Sequence, residues 1–333
     1  MTFPIPSHPS WDIKDSSKLD DYLRCPRYYF YHYMLGWSLD VPEHDLVFGD
    51  AFHHAREHQL LFGYNEIEGA YEAFLNIYRK EFPPETDSLY IPKNPTSVMH
   101  ALMQFATNYS RDLIDNEVVE LDGIKMTEMA GTVPVDESRV LHYRMDSIMR
   151  RKSDGMVFSW DHKTTSGKWI HDTRWDRDLF LGIQNGTYTH CLYCMFPVDQ
   201  VLGVEFDKTG FEYLRKGSAN RPAGYYATTR RVPAFKSPEQ MNTWLWLANT
   251  LLDELERDMD RLSQCTEADD VLMAFRQNPK ACNDYRGCEF HDYCLAWQNP
   301  LRRCYEPPLG YIQRFWNPAE REATVKKDLT FQI

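Results

Sequence analysis

LHYRMDSIMRRKSDGMVFSWDHKTT, from Leu141 to Thr165, decides how the rest of the chain is read. Its first half carries apolar or aromatic residues at Tyr143, Met145 and Ile148, and its second at Met156, Val157, Phe158 and Trp160. Lys152-Ser153-Asp154-Gly155 between them has the chemistry of a polar turn, so the pattern predicts a hairpin. On its second strand Asp161 and Lys163 stand two apart, which sends both side chains to one face and His162 to the other. With Asp146 from the first strand they offer two carboxylates and an ammonium at one place, a set suited to holding a divalent metal and neutralising a developing anion. An ordinary surface hairpin with solvated charges would read the same way in isolation.

Composition narrows the choice. With 333 residues, 43% of them hydrophobic, and 18 Phe, 20 Tyr and 9 Trp, there is material for one large domain with insertions or for two smaller ones. There is no stretch of 18 apolar residues, and MTFPIPSHPSWDIKD lacks the basic start and apolar centre of a signal peptide, so a soluble cytoplasmic protein with no membrane association is expected. A net charge of -12 argues against nonspecific wrapping of nucleic acid, but leaves room for a local phosphate grip at 150–154 (RRKSD) and 228–236 (TTRRVPAFK). The eight cysteines are too sparse for a secreted disulfide scaffold and are expected to be free or metal-bound. No G-x-x-x-x-G-K-[ST] occurs, so unwinding would have to come from a partner.

Upstream of the hairpin, Ser16 or Ser17 is the expected cap of a first helix, Cys25-Pro26 interrupts it, and the aromatic run from Tyr28 to Tyr33 must be largely buried. FGDAFHHAREHQLLFG, residues 48–63, reads as a loop glycine feeding a helix; His54 and His58 share its face, but without the H-E-x-x-H of a zinc protease. A helix over 66–80, a connector from Phe82 to Ser97 and a helix from about Val98 to Ile114 follow. Glu128 falls in a strand region, Val118 to Val135, where alternation can turn it inward, and an inward carboxylate needs a partner or a metal.

Downstream, Arg174 to Met195 is expected to be one helix presenting Gln184 and Tyr188 on a common face. Cys191 and Cys194 fit its apolar pattern better than a metal site. Strands over Val201–Phe206 and Gly224–Val232 and a long amphipathic helix over Pro238–Leu262 complete the regular part. Cys282, Cys288 and Cys294 then form C-x5-C-x5-C in an irregular loop; a fourth ligand for tetrahedral zinc or a cubane cluster could be Cys25, Cys304 or His291.

Taken in order, these residues resemble the RecB-like branch of the PD-(D/E)xK nuclease superfamily, in particular its iron–sulfur members, the AddB nuclease domain and the CRISPR-associated RecB-like exonucleases. Tyr22, Cys25, Pro26, Tyr29 and Tyr31 match Y-x-x-C-P-x-x-[FY]-x-[FY]; Gly49 and His53 match G-x-x-x-H; Asp146 and Asp161-His162-Lys163-Thr164 match the core; Gln184 and Tyr188 match Q-x-x-x-Y. Two features depart from the pattern: the glycine usual just before the core aspartate is absent, the chain reading Tyr143-Arg144-Met145-Asp146, and the tail cysteines lack a C-x2-C pair. The resemblance implies an α/β, restriction-endonuclease-like core, a mixed central sheet flanked by helices, with helical insertions and a cysteine-ligated region joining the N- and C-terminal parts. The expected division is a lead over 1–15, a nuclease domain over 16–295 (helical 16–117, catalytic 118–236, helices and cluster loop 237–295) and a tail over 296–333.

It further implies Mg2+ or Mn2+ held by His53, Asp146 and Asp161, with Lys163, Glu128, Gln184 and Tyr188 completing the catalytic set. His162 is the neighbour whose side chain is expected to matter least. A 4Fe-4S cluster on Cys25, Cys282, Cys288 and Cys294 would be structural, zinc being the alternative. The implied activity is a deoxyribonuclease, acting as an exonuclease on single strands or DNA ends in repair or recombination, beside a helicase or recombination partner. A catalytically silent nucleic-acid-binding scaffold and a zinc-stapled accessory protein are the alternatives.

Overall fold

The computed structural model describes residues 2–284, 287–320 and 323–331. The chain forms two compact units, each assembled from separated segments.

The unit made of Pro42–Ala130, Arg144–Ser237 and Ala323–Ile333 carries the hairpin. Its helices α1 (His44–Phe62), α2 (Ile67–Tyr78) and α3 (Pro95–Asn108) bury residues at helical spacing, among them Phe48, Phe52, Phe74, Tyr78, Leu102 and Phe105. The first of these starts a turn earlier than expected, so Gly49 lies inside it; it stops at Gly63, whose φ of 108° few other residues adopt. The third starts at Pro95 and not at Val98, because Asn94 and Ser97 form a reciprocal capping box with proline at the first helical position. It ends at Asn108, and a separate short turn spans Asp112–Asp115.

Five long or medium strands follow: β1 (Thr127–Pro134), β2 (Val140–Arg151), β3 (Val157–Ser166), β4 (Val201–Leu214) and β5 (Gly224–Ala234). Between β3 and β4 lie α4 (Thr173–Leu181) and α5 (Ile183–Met195). One continuous helix was expected there; Gly182 divides it, its ψ of 149° leaving the helical region. A last strand, β6 (Val325–Lys326), comes from the tail. The sheet order is β6-β1-β2-β3-β4-β5, and a short strand, Asn116–Val118, also pairs with β2. β2 and β3 are antiparallel, β3 and β4 parallel, β4 and β5 antiparallel, which makes the sheet mixed as expected.

Register decides which residues meet. Asp161 lies opposite Phe206 and His162 opposite Asp207 on the parallel neighbour. Since successive residues alternate faces, His162 and Asp207 point to the side on which Arg56 of α1 lies, while Asp161 and Lys163 point to the side of α5. Asp207 is fully buried, 3.4 Å from Arg56, 3.4 Å from the His162 ring and 3.6 Å from Arg231. Arg231 also forks onto Asp112, and Arg56 lies over the Phe105 ring, 3.4 Å from its centroid. Burial opposes the charge of Asp207, but the guanidinium of Arg231, the His162 ring and Arg56 outweigh it and lower its pKa to about 2.

The other unit consists of Met1–Val41, Gly131–Tyr143 and Pro238–Glu322. The helix Ser16–Arg24 is capped by Asp15, whose side chain accepts from the Lys18 N–H; neither Ser16 nor Ser17 serves as the cap. Tyr29, Phe30, Tyr31 and Tyr33 of the aromatic run are buried, with Phe275 and Phe290 against them. Trp37–Leu39 pairs antiparallel with Tyr311–Gln313, and the long helix spans Pro238–Leu262 with Trp244, Leu251 and Leu255 buried. No described helix is long and apolar enough to cross a membrane.

Removing one member of the buried charge network strands the others in a place water cannot reach. Asp207→Ala is therefore expected to lower unfolding free energy by about 3–5 kcal/mol. Urea denaturation of wild type and variant checks this, and a change below about 1 kcal/mol would contradict it.

Candidate active site

The site grows from the main chain of His162. Its N–H donates to Asp146 Oδ2 at 2.7 Å, and its carbonyl accepts from His53 Nε2, also at 2.7 Å. The second imidazole nitrogen, Nδ1, faces Asp146 Oδ1 at 3.4 Å. Thus α1, β2 and β3 are joined through the two main-chain polar groups of one residue, which orient His53 and Asp146.

Glu128 completes the group from β1. It is 2% exposed, so it does turn inward, and its φ of 42° breaks the alternation of the strand: Thr127, Glu128 and Met129 are all buried. A non-glycine residue there costs about 1–3 kcal/mol. The conformation is held by the Thr324 N–H, 3.0 Å from the Glu128 carbonyl, and by Arg144, which donates to Oε2 at 2.9 and 2.6 Å. The other carboxylate oxygen, Oε1, has no hydrogen-bond partner despite burial. One donor atom each from His53, Glu128 and Asp146 lies within 4.8 Å of the others, spacing that could hold a metal ion.

Asp161 is buried on the neighbouring strand, with Oδ1 2.6 Å from Lys163 Nζ. Lys163 also donates to Gln184 Oε1 at 2.8 Å, and Gln184 donates to the Tyr188 hydroxyl at 2.9 Å. The i, i+4 spacing of Gln184 and Tyr188 on α5 thus becomes a relay back to the lysine. The expected metal set was His53, Asp146 and Asp161; the compact group contains Glu128, while Asp161 contacts Lys163.

Charges in this group of residues are strongly perturbed. Burial and the neighbouring Asp146 push Glu128 up to about 7, against Arg144 and His53. Burial raises Asp161 to about 6 in spite of Lys163. Burial works against a charged His53, yet Asp146 and the other carboxylates raise it to about 9; burial likewise works against Asp146, but His53 holds that carboxyl below its ordinary range. Carboxylates that resist joint ionisation make an oxygen-rich donor set, and a hard divalent cation there would relieve their mutual repulsion.

In the other unit, Cys25, Cys282, Cys288 and Cys294 all line one cavity of about 220 Å³. Asn278 donates to the Arg24 carbonyl at 2.7 Å and Arg27 Nε to the Phe275 carbonyl at 2.9 Å, bringing the early cysteine to the late loop. His291 shares the lining, whereas Cys304 is buried elsewhere, with its thiol 3.5 Å from the Leu301 carbonyl. Cys191 is fully buried in α5, as its apolar setting suggests.

A model of the PD-(D/E)XK nuclease superfamily matches residues 16–295, and the chain belongs to that superfamily. The match fits the mixed sheet flanked by helices and places the protein among metal-dependent nucleases, which act on nucleic acid. Comparison with curated proteins finds no match. The crystal structure of SSO0001 is 12% identical over 71% of this chain and 82% of its own, with a TM-score of 0.22, a likeness too slight to argue from.

Sequence inspection missed Arg144 and Asp207. The first lies two residues before Asp146 on the same strand, so alternation could have placed it on the same face; the second needs the β3–β4 register, which no local pattern supplies. The His162 side chain, the one expected to matter least, is buried 3.4 Å from Asp207.

Glu128→Gln keeps the volume and removes the charge. It is expected to weaken Mn2+ binding at least about tenfold by isothermal calorimetry. An unchanged isotherm would take Glu128 out of the metal-binding group.

Proposed function

We propose that this protein is a Mg2+- or Mn2+-dependent deoxyribonuclease that works as an exonuclease on single-stranded DNA or on DNA ends, in repair or recombination. The observation that carries this reading is the adjacency of two assemblies: a His53–Glu128–Asp146 donor group and, on the next strand, Asp161 bonded to a Lys163 that is itself held by Gln184.

Hydrolysis adds water across a phosphodiester: the water oxygen bonds phosphorus, the bond to one sugar oxygen breaks, and that oxygen takes up a proton. Lys163 presents its ammonium to the phosphoryl oxygens, where negative charge grows, and Asp161 and Gln184 keep it aimed. Buried Asp146 and Glu128 with His53 would hold the divalent ion, with Asp161 as a further oxygen ligand alongside Lys163. Bound there, the ion would supply Lewis acidity toward the phosphate and a water of lowered pKa. Gln184 and Tyr188 position the strand through its backbone.

The four thiols around one cavity support a structural 4Fe-4S cluster on Cys25, Cys282, Cys288 and Cys294. Such a cluster would close a loop of about 250 residues and so stabilise its unit. A helicase or recombination partner would supply unwinding.

The test is incubation with Mg2+ or Mn2+ of end-labelled and circular DNA, single- and double-stranded, beside Asp161→Ala. Wild type is expected to degrade linear single strands, with at least about a thousandfold loss in the variant; equal cleavage by both would reject the site, and cleavage of circles would reject end-dependence. Cys282→Ala is expected to lose a brown chromophore together with solubility, whereas a colourless, folded wild type with equimolar zinc would reject the cluster.

A further inference from the structure

The connection between Lys163 and Gln184 contains a large aromatic side chain held outward by a close backbone contact. Immediately after β3, Gly167–Trp169 forms a single 3-10 turn. A Cβ on Gly210 of β4 would fall 3.1 Å from the Gly167 Cα and 3.0 Å from the Ile170 Cβ, and a Cβ on Gly167 would fall 3.0 Å from the Glu212 Cβ. Glycine at both positions is what lets the turn lie on the strand. Ile170 is 2% exposed and plugs the contact; Trp169, one residue earlier, is 45% exposed. A fixed turn therefore presents an indole to solvent where burial would ordinarily have been favourable.

The surroundings say what it is for. Lys168 Nζ lies 5.1 Å from the Trp169 ring centroid, and Lys168, His171, Arg174 and Arg177 are all exposed. Of the nearby acids, Asp172 pairs with Arg174 at 3.0 Å, and Asp176 is taken by Lys208 and Arg230, each at 2.8 Å; Asp178 is the exposed one. Glu212, against Gly167, pairs with Arg221 at 2.8 Å, and that guanidinium stacks 4.3 Å from the Tyr226 centroid. Cations interleaved with aromatic faces are the chemistry that grips a phosphate backbone while unpaired bases stack. The location is equally specific. This excursion leaves β3 after Lys163 and the chain returns at Gln184, and those two residues are bonded at 2.8 Å, so the turn belongs to the segment that connects two residues of the candidate site.

We propose that Trp169 is a stacking platform for an unpaired base of single-stranded DNA entering the site, with Lys168 gripping the adjacent phosphate. The proposal rests on the nuclease reading above and adds to it a residue that favours single strands over duplex. Inside a duplex each base pair is stacked on both faces by its neighbours and offers the indole only its backbone, the two end pairs apart; a free strand offers a base at every position.

The test uses the full chain in an Asp161→Ala background with Mg2+, so that binding is measured without cleavage. Labelled oligothymidylate and a blunt duplex are titrated by fluorescence anisotropy against Asp161→Ala alone and with Trp169→Ala, Trp169→Phe or Lys168→Ala added. Trp169→Ala is expected to weaken single-strand binding about tenfold, Trp169→Phe to restore most of it, and duplex affinity to move less than about twofold. Because the side chain is half exposed, thermal unfolding midpoints should agree among the variants; if Trp169→Ala shifts its midpoint, the Phe variant against Asp161→Ala decides. Unchanged single-strand affinity in Trp169→Ala, an equal loss on duplex, or Trp169→Phe binding as poorly as the alanine variant would overturn the proposal. In each of those cases cleavage by the Trp169-intact enzyme would leave the nuclease reading standing. A wild-type protein that neither binds nor cleaves DNA would overturn both.

Discussion

The main chain of one residue, His162, orders the candidate active site of this protein. The amide of His162 fixes Asp146, its carbonyl fixes His53, and its side chain is buried beside Asp207. Main-chain groups have no rotamer freedom to lose, so two functional side chains are oriented at small entropic cost. The same constraint explains why the histidine between the aspartate and the lysine is buried without being one of the residues proposed to touch the phosphate: its side chain faces the opposite layer.

That opposite layer is where the scaffold and the site depend on each other. Arg56, Arg231 and Asp112 surround or extend from Asp207 beneath the strand that carries Asp161 and Lys163. Buried ion pairs are weak evidence of net stability, because desolvation consumes much of what attraction returns. Their effect here is positional: a parallel pair of strands shifted by one residue would send Asp207 to the face of α5 and take from Arg56 its carboxylate partner, leaving Arg231 with Asp112. Register, and with it the meeting of Asp161 and Lys163 with Gln184, is thereby set by charge as well as by apolar packing.

Strain is concentrated close to the chemistry. Glu128 adopts a positive φ, is buried with one oxygen unpartnered, and is braced by Arg144 and by the tail backbone at Thr324. A short segment near the end of the chain thus contributes to the support of a catalytic-side carboxylate, through a strand of only two residues, Val325–Lys326.

Local pattern carried much of the design. Alternation from Leu141 to Thr165 determined the hairpin and the shared face of Asp161 and Lys163; helical periodicity determined that Gln184 and Tyr188 sit together; proline and glycine marked several element ends, although Asn94 and Gly182 were not recognised as a start and a break. These are short-range consequences of backbone geometry and can be read from neighbours in the chain. Four features were decided only by the fold: the inward, left-handed Glu128; its clamp by Arg144; Asp207 opposite His162; and the meeting of Cys25 with the late cysteines at one cavity. Each requires strand register or closure of a long loop, and those are settled by the sum of many distant contacts, which no stretch of sequence contains by itself.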